Sequence, residues 1–298
     1  MYGFLNVKSG VFSLVFIAVI ALSFAAYAQN AKPQPPVVIE FFGSTLCGDD
    51  FPAQQIAREI IESNEDVIFV NCRMQVFNRD GKSDPLSRNF CDEQRKGYFT
   101  RILPLEVRQP QIFVNGRYEM LGKNLLSAVN MARSIDKTKA IGLQYEAGAL
   151  EIDIPEIESA VSSGEITLYV YAKSRYGAFV RVNETSAVQV RDLDGPENLE
   201  RPDIQASVDE EVMPVSYRPV VAMAQIGFWD GKATRFSYAV HDLLPLNQRK
   251  EAQALSYVVL LHETDAYGPI LAAGELKAQD ITSPADDKVV LPSSKPSL

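Results

Sequence analysis

One cysteine, Cys47, lies between an apolar run and a helical pattern, and this arrangement constrains the fold more than any other feature of the chain. Residues 37–42 have the composition of a buried strand, and residues 50–61 carry apolar side chains at helical spacing. Pro52 is compatible only with the first turn of a helix, so the helix begins just before it. A second apolar run follows at 66–71. This order of strand, helix and strand predicts a parallel pair joined by a right-handed crossover.

A proline directly before a predicted hairpin is the second informative feature. Residues 112–114 and 118–121 read as strands, and Asn115-Gly116 supplies the positive φ angles of a tight type I′ turn. Thioredoxin-like folds carry a cis-proline at the start of such a hairpin, facing a redox cysteine. Only about 5–6% of X–Pro bonds in folded proteins are cis, so the proline is informative only in this combination. We predict a cis bond before Pro110 and side-chain contact between Pro110 and Cys47.

The hydrophobic period changes near residue 136 and divides the chain. Residues 37–136 predict a thioredoxin-like α/β domain, and residues 140–278, with short alternating strands separated by turn residues, predict a β-rich, sandwich-like domain. Residues 279–298 are rich in Pro and Ser and predict a disordered tail.

The N-terminal 28 residues have the pattern of a signal peptide. An apolar run of about 16 residues is shorter than the roughly 20 needed to span a bilayer, and the small-x-small sequence Ala26-Tyr27-Ala28 follows it. The alternative is an uncleaved anchor. Cleavage before Gln29 predicts a periplasmic or secreted protein with no membrane segment.

Charge and composition exclude several classes of partner and site. The formal net charge is −9, and no basic stripe is present, so nucleic acid is not an expected partner. The two histidines are far apart in sequence and no cysteine pair has zinc-ligand spacing. We expect no metal and no cofactor. The expected partner is a protein or peptide that the sequence does not identify, and the oligomeric state is not predicted.

Three cysteines leave several pairings open. An exported chain favours disulfides, and an odd number leaves one thiol unpaired within the chain. Cys72 and Cys91 are the candidate disulfide, which would close a loop of about 20 residues; the alternative is two buried free thiols. Cys47 is the candidate reactive thiol. It is alternatively a residue of a degenerate site, or it pairs with Cys72 or Cys91.

Two acidic residues, Asp49 and Asp50, lie at the start of the first predicted helix. Asp49 and Asp50 are interpreted as caps or first-turn acids, and a paired-carboxylate catalytic site is the alternative. Their charges oppose the effect of the helix N-terminus on the nearby thiol, which predicts an ordinary rather than an activated cysteine.

Residues 83–85 predict the start of a helix through Arg101. Arg73 is interpreted as a residue of a solvated charged loop, and an anion site is the alternative.

Four segments carry a resemblance to a known family. Residues 40–53, Glu-Phe-Phe-Gly-Ser-Thr-Leu-Cys-Gly-Asp-Asp-Phe-Pro-Ala, are in register with Glu-Leu-Phe-Thr-Ser-Gln-Gly-Cys-Ser-Ser-Cys-Pro-Pro-Ala of the bacterial exported thioredoxin-like proteins called the domain-of-unknown-function 1223 family. Residues 109–116 resemble the family string Thr-Pro-Gln-x-x-Val-Asn-Gly. Residues 84–86 resemble its Asp-Pro-Phe, and residues 268–274 resemble its Gly-x-Ile-Leu-Gly-Ala-Ala.

Two departures from the family pattern concern chemistry. Asp50 stands where the family carries its second cysteine, and Arg73 begins the segment where the family carries His-Val-Asp-Tyr-Trp-Asp. The resemblance implies a thioredoxin-like fold with a degenerate redox site, in which Cys47 performs at most monothiol chemistry and Pro110 shapes the substrate backbone. Thiol–disulfide oxidoreductase activity is expected to be weak or absent. The alternative function is a non-catalytic binding or scaffold protein that uses the same groove.

Overall fold

The computed structural model describes residues 34–75, 78, 83–101, 109–158, 163–172, 175–182, 187–192, 211–244, 255–263 and 267–281. The predicted signal peptide, residues 1–28, lies outside the described residues, as do residues 282–298 of the predicted tail. The start of that tail overlaps a 3₁₀ helix, Ala278–Asp280.

The first sheet has four strands, and the Cys47 loop follows the first of them in sequence. Its strands are β1 (Val37–Gly43), β2 (Val67–Arg73), β3 (Gln111–Val114) and β4 (Tyr118–Met120), in the order β2-β1-β3-β4. Strands β1 and β2 are parallel, as the strand–helix–strand pattern predicts, and β3 is antiparallel to β1. The β3–β4 turn has φ of 49° at Asn115 and 61° at Gly116, the positive values that a type I′ turn requires.

Three helices accompany this sheet: α1 (Asp50–Glu62), α2 (Asn89–Arg101) and α3 (Leu125–Ile135). Helices α1 and α3 share a buried apolar cluster with one face of the sheet. Helix α2 contributes Cys91 and Tyr98 to a cluster that includes Phe42 and Phe113 from the opposite face. The side chains of β1 therefore alternate between two buried layers, and all seven of its residues are buried.

The remaining strands form three further sheets. Their bounds are β5 (Lys139–Ala140), β6 (Gly142–Glu146), β7 (Ala149–Ile154), β8 (Gly164–Tyr171), β9 (Arg175–Val182), β10 (Ala187–Asp192), β11 (Glu211–Ser216), β12 (Val220–Trp229), β13 (Thr234–Ala239), β14 (Ser256–Glu263) and β15 (Ile270–Leu276). The sheet orders are β12-β8-β14-β15-β5, β13-β7-β6 and β10-β9-β11.

The five-stranded sheet lies between two apolar layers. One of its faces shares a cluster with the β13-β7-β6 sheet. Residues of its other face, such as Tyr169 and Leu260, pack against Val38, Ile68 and Val70 of the first sheet. The structure is thus a mixed α/β, strand-rich fold with several sheets. The described residues from 35 to 281 fall into one compact unit, and the predicted division of the chain near residues 136–140 stays a prediction.

The segment before α2 differs from the sequence prediction. The helix begins at Asn89, not at residues 83–85. The Asp84 carboxylate accepts hydrogen bonds from the backbone N–H groups of Leu86 (2.9 Å) and Thr45 (2.9 Å). The Asp84 carboxylate therefore makes hydrogen bonds both within its own segment and to the Cys47 loop. Because of these bonds, residues 83–86 form a turn instead of the first turn of the helix.

Candidate functional site

The Cys47 loop is a tight turn that leads directly into α1. The Cys47 N–H donates to the Ser44 carbonyl oxygen (2.9 Å), and the Asp50 N–H donates to the Cys47 carbonyl oxygen (3.1 Å). These turns hold Cys47 three residues before the helix begins, with its side chain partly exposed.

The predicted proline strand lies beside this thiol. The Gln109–Pro110 peptide bond is cis. The Cys47 Sγ lies 3.9 Å from the Gln109 carbonyl oxygen and donates a weak hydrogen bond to it. The fold therefore brings the Cys47 loop and the residue preceding Pro110 together.

The surroundings of Cys47 favour its thiol over its thiolate. Burial is the largest influence and raises the pKa of Cys47. A hydrogen bond from the Asp49 N–H lowers it, the Asp50 and Asp49 carboxylates raise it, and a hydrogen bond from the Asp50 N–H lowers it. The net shift is upward, because partial burial and two nearby negative charges outweigh the N–H groups at the helix start.

Asp50 is an acid of the first turn of α1, as predicted, and it is also a buried ion-pair partner. Its Oδ2 lies 2.9 Å from Arg73 Nη1, and both side chains are almost completely buried. Gln54 Nε2 also donates to Asp50 Oδ2 (2.5 Å). Burial raises the pKa of Asp50, and the Arg73 cation opposes that shift. Asp49 is the N-cap residue, and its side chain makes no capping hydrogen bond.

Arg73 is the site residue that sequence reasoning missed. The interpretation as a solvated loop residue is wrong, because the residue has no exposed surface. Its Nε lies 3.4 Å from Asp84 Oδ2, so the guanidinium lies between two carboxylates, those of Asp50 and Asp84. The available signal was its position at the end of a fully buried strand, directly after Cys72.

A second buried connection runs from α1 to the chain between β11 and β12. Asn71 Nδ2 donates to Gln54 Oε1 (3.1 Å) and to the Tyr217 carbonyl oxygen (2.7 Å). The Tyr217 N–H donates to the same Gln54 oxygen (3.0 Å). Gln54 therefore links the Asp50–Arg73 pair to residues more than a hundred positions later in sequence.

Cys72 and Cys91 form a disulfide bond, with 5.3 Å between their Cα atoms. The bond joins the end of β2 to the first turn of α2, and both residues are buried. Cys47 is a free cysteine, so the pairings of Cys47 with Cys72 or Cys91 are absent from the structure.

The described ranges contain neither a cluster of metal ligands nor a membrane-spanning helix. Among these residues, no group of three or more His, Cys, Asp or Glu side chains is arranged to hold a metal ion. No helix formed by these residues is both long and apolar enough to cross a bilayer.

Comparison with known proteins identifies a family and a related fold. A crystal structure of a protein from Agrobacterium tumefaciens aligns with a TM-score of 0.61 and 18% identity, over 85% of this chain and 99% of that chain. The structure of HBP35 of Porphyromonas gingivalis aligns with a TM-score of 0.48 and 13% identity, over 88% of this chain and 81% of that chain. No curated protein matches the chain. The model of the family described as "Protein of unknown function (DUF1223)" matches residues 38–189, just over half of the chain, and the chain belongs to that family.

Proposed function

We propose that this chain is an exported thioredoxin-like protein whose redox site has lost dithiol chemistry. The β1–α1–β2 crossover, the Cys47 loop and the cis bond at Pro110 support the thioredoxin-like assignment. The sequence of residues 1–28 supports export to the periplasm or the exterior. Export with cleavage leaves Gln29 as the first residue, which the intact mass of protein from the exported fraction checks; a mass that retains residues 1–28 contradicts it.

The buried Asp50–Arg73 ion pair carries the proposal. A dithiol enzyme leaves its mixed disulfide when a second thiolate attacks the first sulfur. Asp50 has no sulfur to form that bond, and its carboxylate is held by Arg73 at 2.9 Å. The Cys47 thiolate can attack a disulfide, form one new S–S bond and release one thiolate. The resulting mixed disulfide then persists until an external thiol attacks it.

A second candidate is a non-catalytic binding or scaffold protein for an extended polypeptide. The raised pKa of Cys47 favours it, because burial and the two acidic neighbours keep the thiol protonated at neutral pH. Two exposed apolar side chains also favour it. Leu46, 40% exposed, is adjacent to Cys47, and Leu121, 37% exposed, directly follows β4, the partner strand of β3. Such side chains suit an apolar peptide segment that lies along the Pro110 edge.

Insulin reduction with an external thiol tests the loss of dithiol chemistry. Wild-type protein should give no turnover above the uncatalysed rate. The variant Asp50→Cys/Arg73→His restores the thiol and the imidazole of the family pattern and removes the arginine that would otherwise lose its Asp50 partner. We expect turnover in this variant and none in Asp50→Ser/Arg73→His, which matches it in size but lacks the second thiol.

Two results of this assay would change the proposal. Wild-type turnover comparable to that of a dithiol enzyme would refute the degenerate site. A folded Asp50→Cys/Arg73→His variant without turnover would favour the binding protein, since the scaffold itself then does not support exchange.

The pH dependence of Cys47 alkylation separates the two candidates. Because the pKa of Cys47 is raised, the alkylation rate at pH 7 should be below that of an unperturbed cysteine and should rise through a midpoint above the ordinary thiol range. Denatured protein, with all reducible bonds intact, is the control and should show the ordinary midpoint. A native midpoint below that of denatured protein would favour monothiol chemistry over simple binding.

A further inference from the structure

Glu40 is a carboxylic acid buried in the middle of the fold. It lies in the centre of β1 with no exposed surface, and its register neighbours on either side are Val70 and Phe113, both buried. The Tyr98 hydroxyl of α2 donates to Glu40 Oε2. Glu40 Oε1 has no hydrogen-bond partner among the residues that the structure describes. Of the two carboxyl oxygens, Oε2 therefore has a hydrogen-bond partner and Oε1 has none within the described residues.

Strand β8 of the five-stranded sheet carries two buried hydroxyl groups that lack a hydrogen-bond partner among the described residues. Tyr169 of β8 is completely buried and packs in the cluster between the two sheets. Its hydroxyl, and that of Thr167 two residues earlier, lack hydrogen-bond partners within the described part of the chain. Burial is the main cause that raises the pKa of Tyr169, and Glu40 is the next, so the two groups are close enough to interact electrostatically.

Among the described titratable groups around this layer, Tyr98 is the one whose contact shifts the pKa of Glu40. Glu165 and Tyr267 act on Tyr169 in the same direction as Glu40, as negative groups. His262 of β14 is buried on the face shared with Leu260, and its Nδ1 lies 3.1 Å from the Gly268 carbonyl oxygen. Strands β2 and β3 contribute apolar neighbours, and α2 contributes Tyr98. The causes of the Glu40 pKa shift include no cation.

These contacts favour the neutral carboxyl group. An ionised carboxylate in an apolar layer without a cation is costly, whereas a protonated one is a hydrogen-bond donor as well as an acceptor. A proton on Oε1 removes the negative charge from a buried oxygen that has no hydrogen-bond partner among the described residues. Burial raises the pKa of Glu40 to about 7, against the smaller lowering effect of Tyr98.

We propose that Glu40 is a proton-binding site between the first sheet and the five-stranded sheet, and that loss of its proton as the pH rises weakens the packing of the two sheets. The protein would then respond to the change between mildly acidic and mildly alkaline surroundings through this one internal group.

The direction of the effect follows from linkage. The pKa of Glu40 is raised in the folded state from 4.5 to about 7, so the folded protein holds the proton more tightly than the unfolded chain. The stabilising contribution is complete below the unfolded pKa and is lost as the pH rises through the folded value. Between pH 5 and pH 8 this shift lowers the folding equilibrium constant on the order of 100-fold.

Urea unfolding of wild type, Glu40→Gln and Glu59→Gln between pH 5 and pH 9 tests this proposal. Glu59 is an exposed glutamate of α1 and serves as the matched control. Wild type and Glu59→Gln should lose stability in parallel between pH 5 and pH 8. Over this range the folding equilibrium constant of Glu40→Gln should fall on the order of 100-fold less than that of wild type, since its neutral amide does not titrate. Parallel curves for all three proteins would overturn the proposal.

Wild-type protein alone provides an independent test if Glu40→Gln does not fold. With carbon-13-labelled glutamate, one side-chain carboxyl resonance should titrate near neutral pH while the exposed glutamates titrate near their ordinary values. If all glutamates titrate in the ordinary range, the proposed proton site is wrong.

Discussion

Replacement of Asp50 with Ala should lower the free energy of unfolding by about 3–5 kcal/mol, the range for removal of one partner of a buried ion pair. The loss is large because Arg73 has no exposed surface and keeps only Asp84, at the longer distance of 3.4 Å. Gln54 also loses the carboxylate that accepts from its amide. Urea unfolding followed by circular dichroism measures the change.

The neighbouring residue is the matched control for this prediction. Asp49 is exposed and makes no side-chain capping hydrogen bond, so Asp49→Ala should change stability by no more than about 0.5 kcal/mol. Asp50→Ala/Arg73→Met should recover part of the loss, because it removes the uncompensated cation and fills its volume with an apolar side chain. Equal stability of Asp50→Ala and Asp49→Ala would show that the ion pair contributes nothing to folding.

Removal of the disulfide should be the second large effect. Cys72→Ala/Cys91→Ala should lower the free energy of unfolding by about 3 kcal/mol, the value for a loop of roughly this length in the chain-entropy account. The sequence separation is 19 residues. The bond also holds α2, which carries Tyr98, against the end of β2. Thermal unfolding of the variant and of wild type measures the loss.

Chemical reduction separates the bond from the substitutions. Dithiothreitol should destabilise wild type by a similar amount and should leave Cys72→Ala/Cys91→Ala unchanged, because that variant has no disulfide to reduce. Peptide mapping of wild type without reductant should find only Cys47 alkylated. Alkylation of Cys91 in that experiment would show that the thiols are not paired.

The features that sequence reasoning predicted around the site follow from local rules. The turn at Asn115-Gly116 depends on two residues that tolerate positive φ. The cis bond at Pro110 was expected from its position before that hairpin, and it is present. Cys72 and Cys91 are the candidate disulfide of the sequence, with two buried free thiols as the alternative, and the structure has the bond. The reactivity of Cys47 and the roles of Pro110 and Asp50 in function stay predictions.

The features that sequence reasoning missed depend on residues far apart in the chain. The sequence interprets Arg73 as a residue of a solvated charged loop, but charged residues are buried when they have partners. Its partners, Asp50 and Asp84, lie 23 and 11 residues away in sequence. Nothing in the local pattern of either segment indicates that the three side chains meet. Asp50 is a first-turn acid of α1, as the sequence predicts, and only its ion pair with Arg73 goes beyond that prediction.

Local rules account for the parallel β1–α1–β2 unit, the tight hairpin and the aspartate at position 50, because these depend on periodicity, turn chemistry and residue identity. Long-range packing accounts for the partners of Asp50 and for the acid that is buried between the sheets. Asp50 becomes an ion-pair partner because β2 brings Arg73 beneath the helix start. Glu40 becomes a neutral acid candidate because the five-stranded sheet covers the face of β1 on which it lies. Both outcomes depend on burial, which arises only when distant elements pack and exclude water.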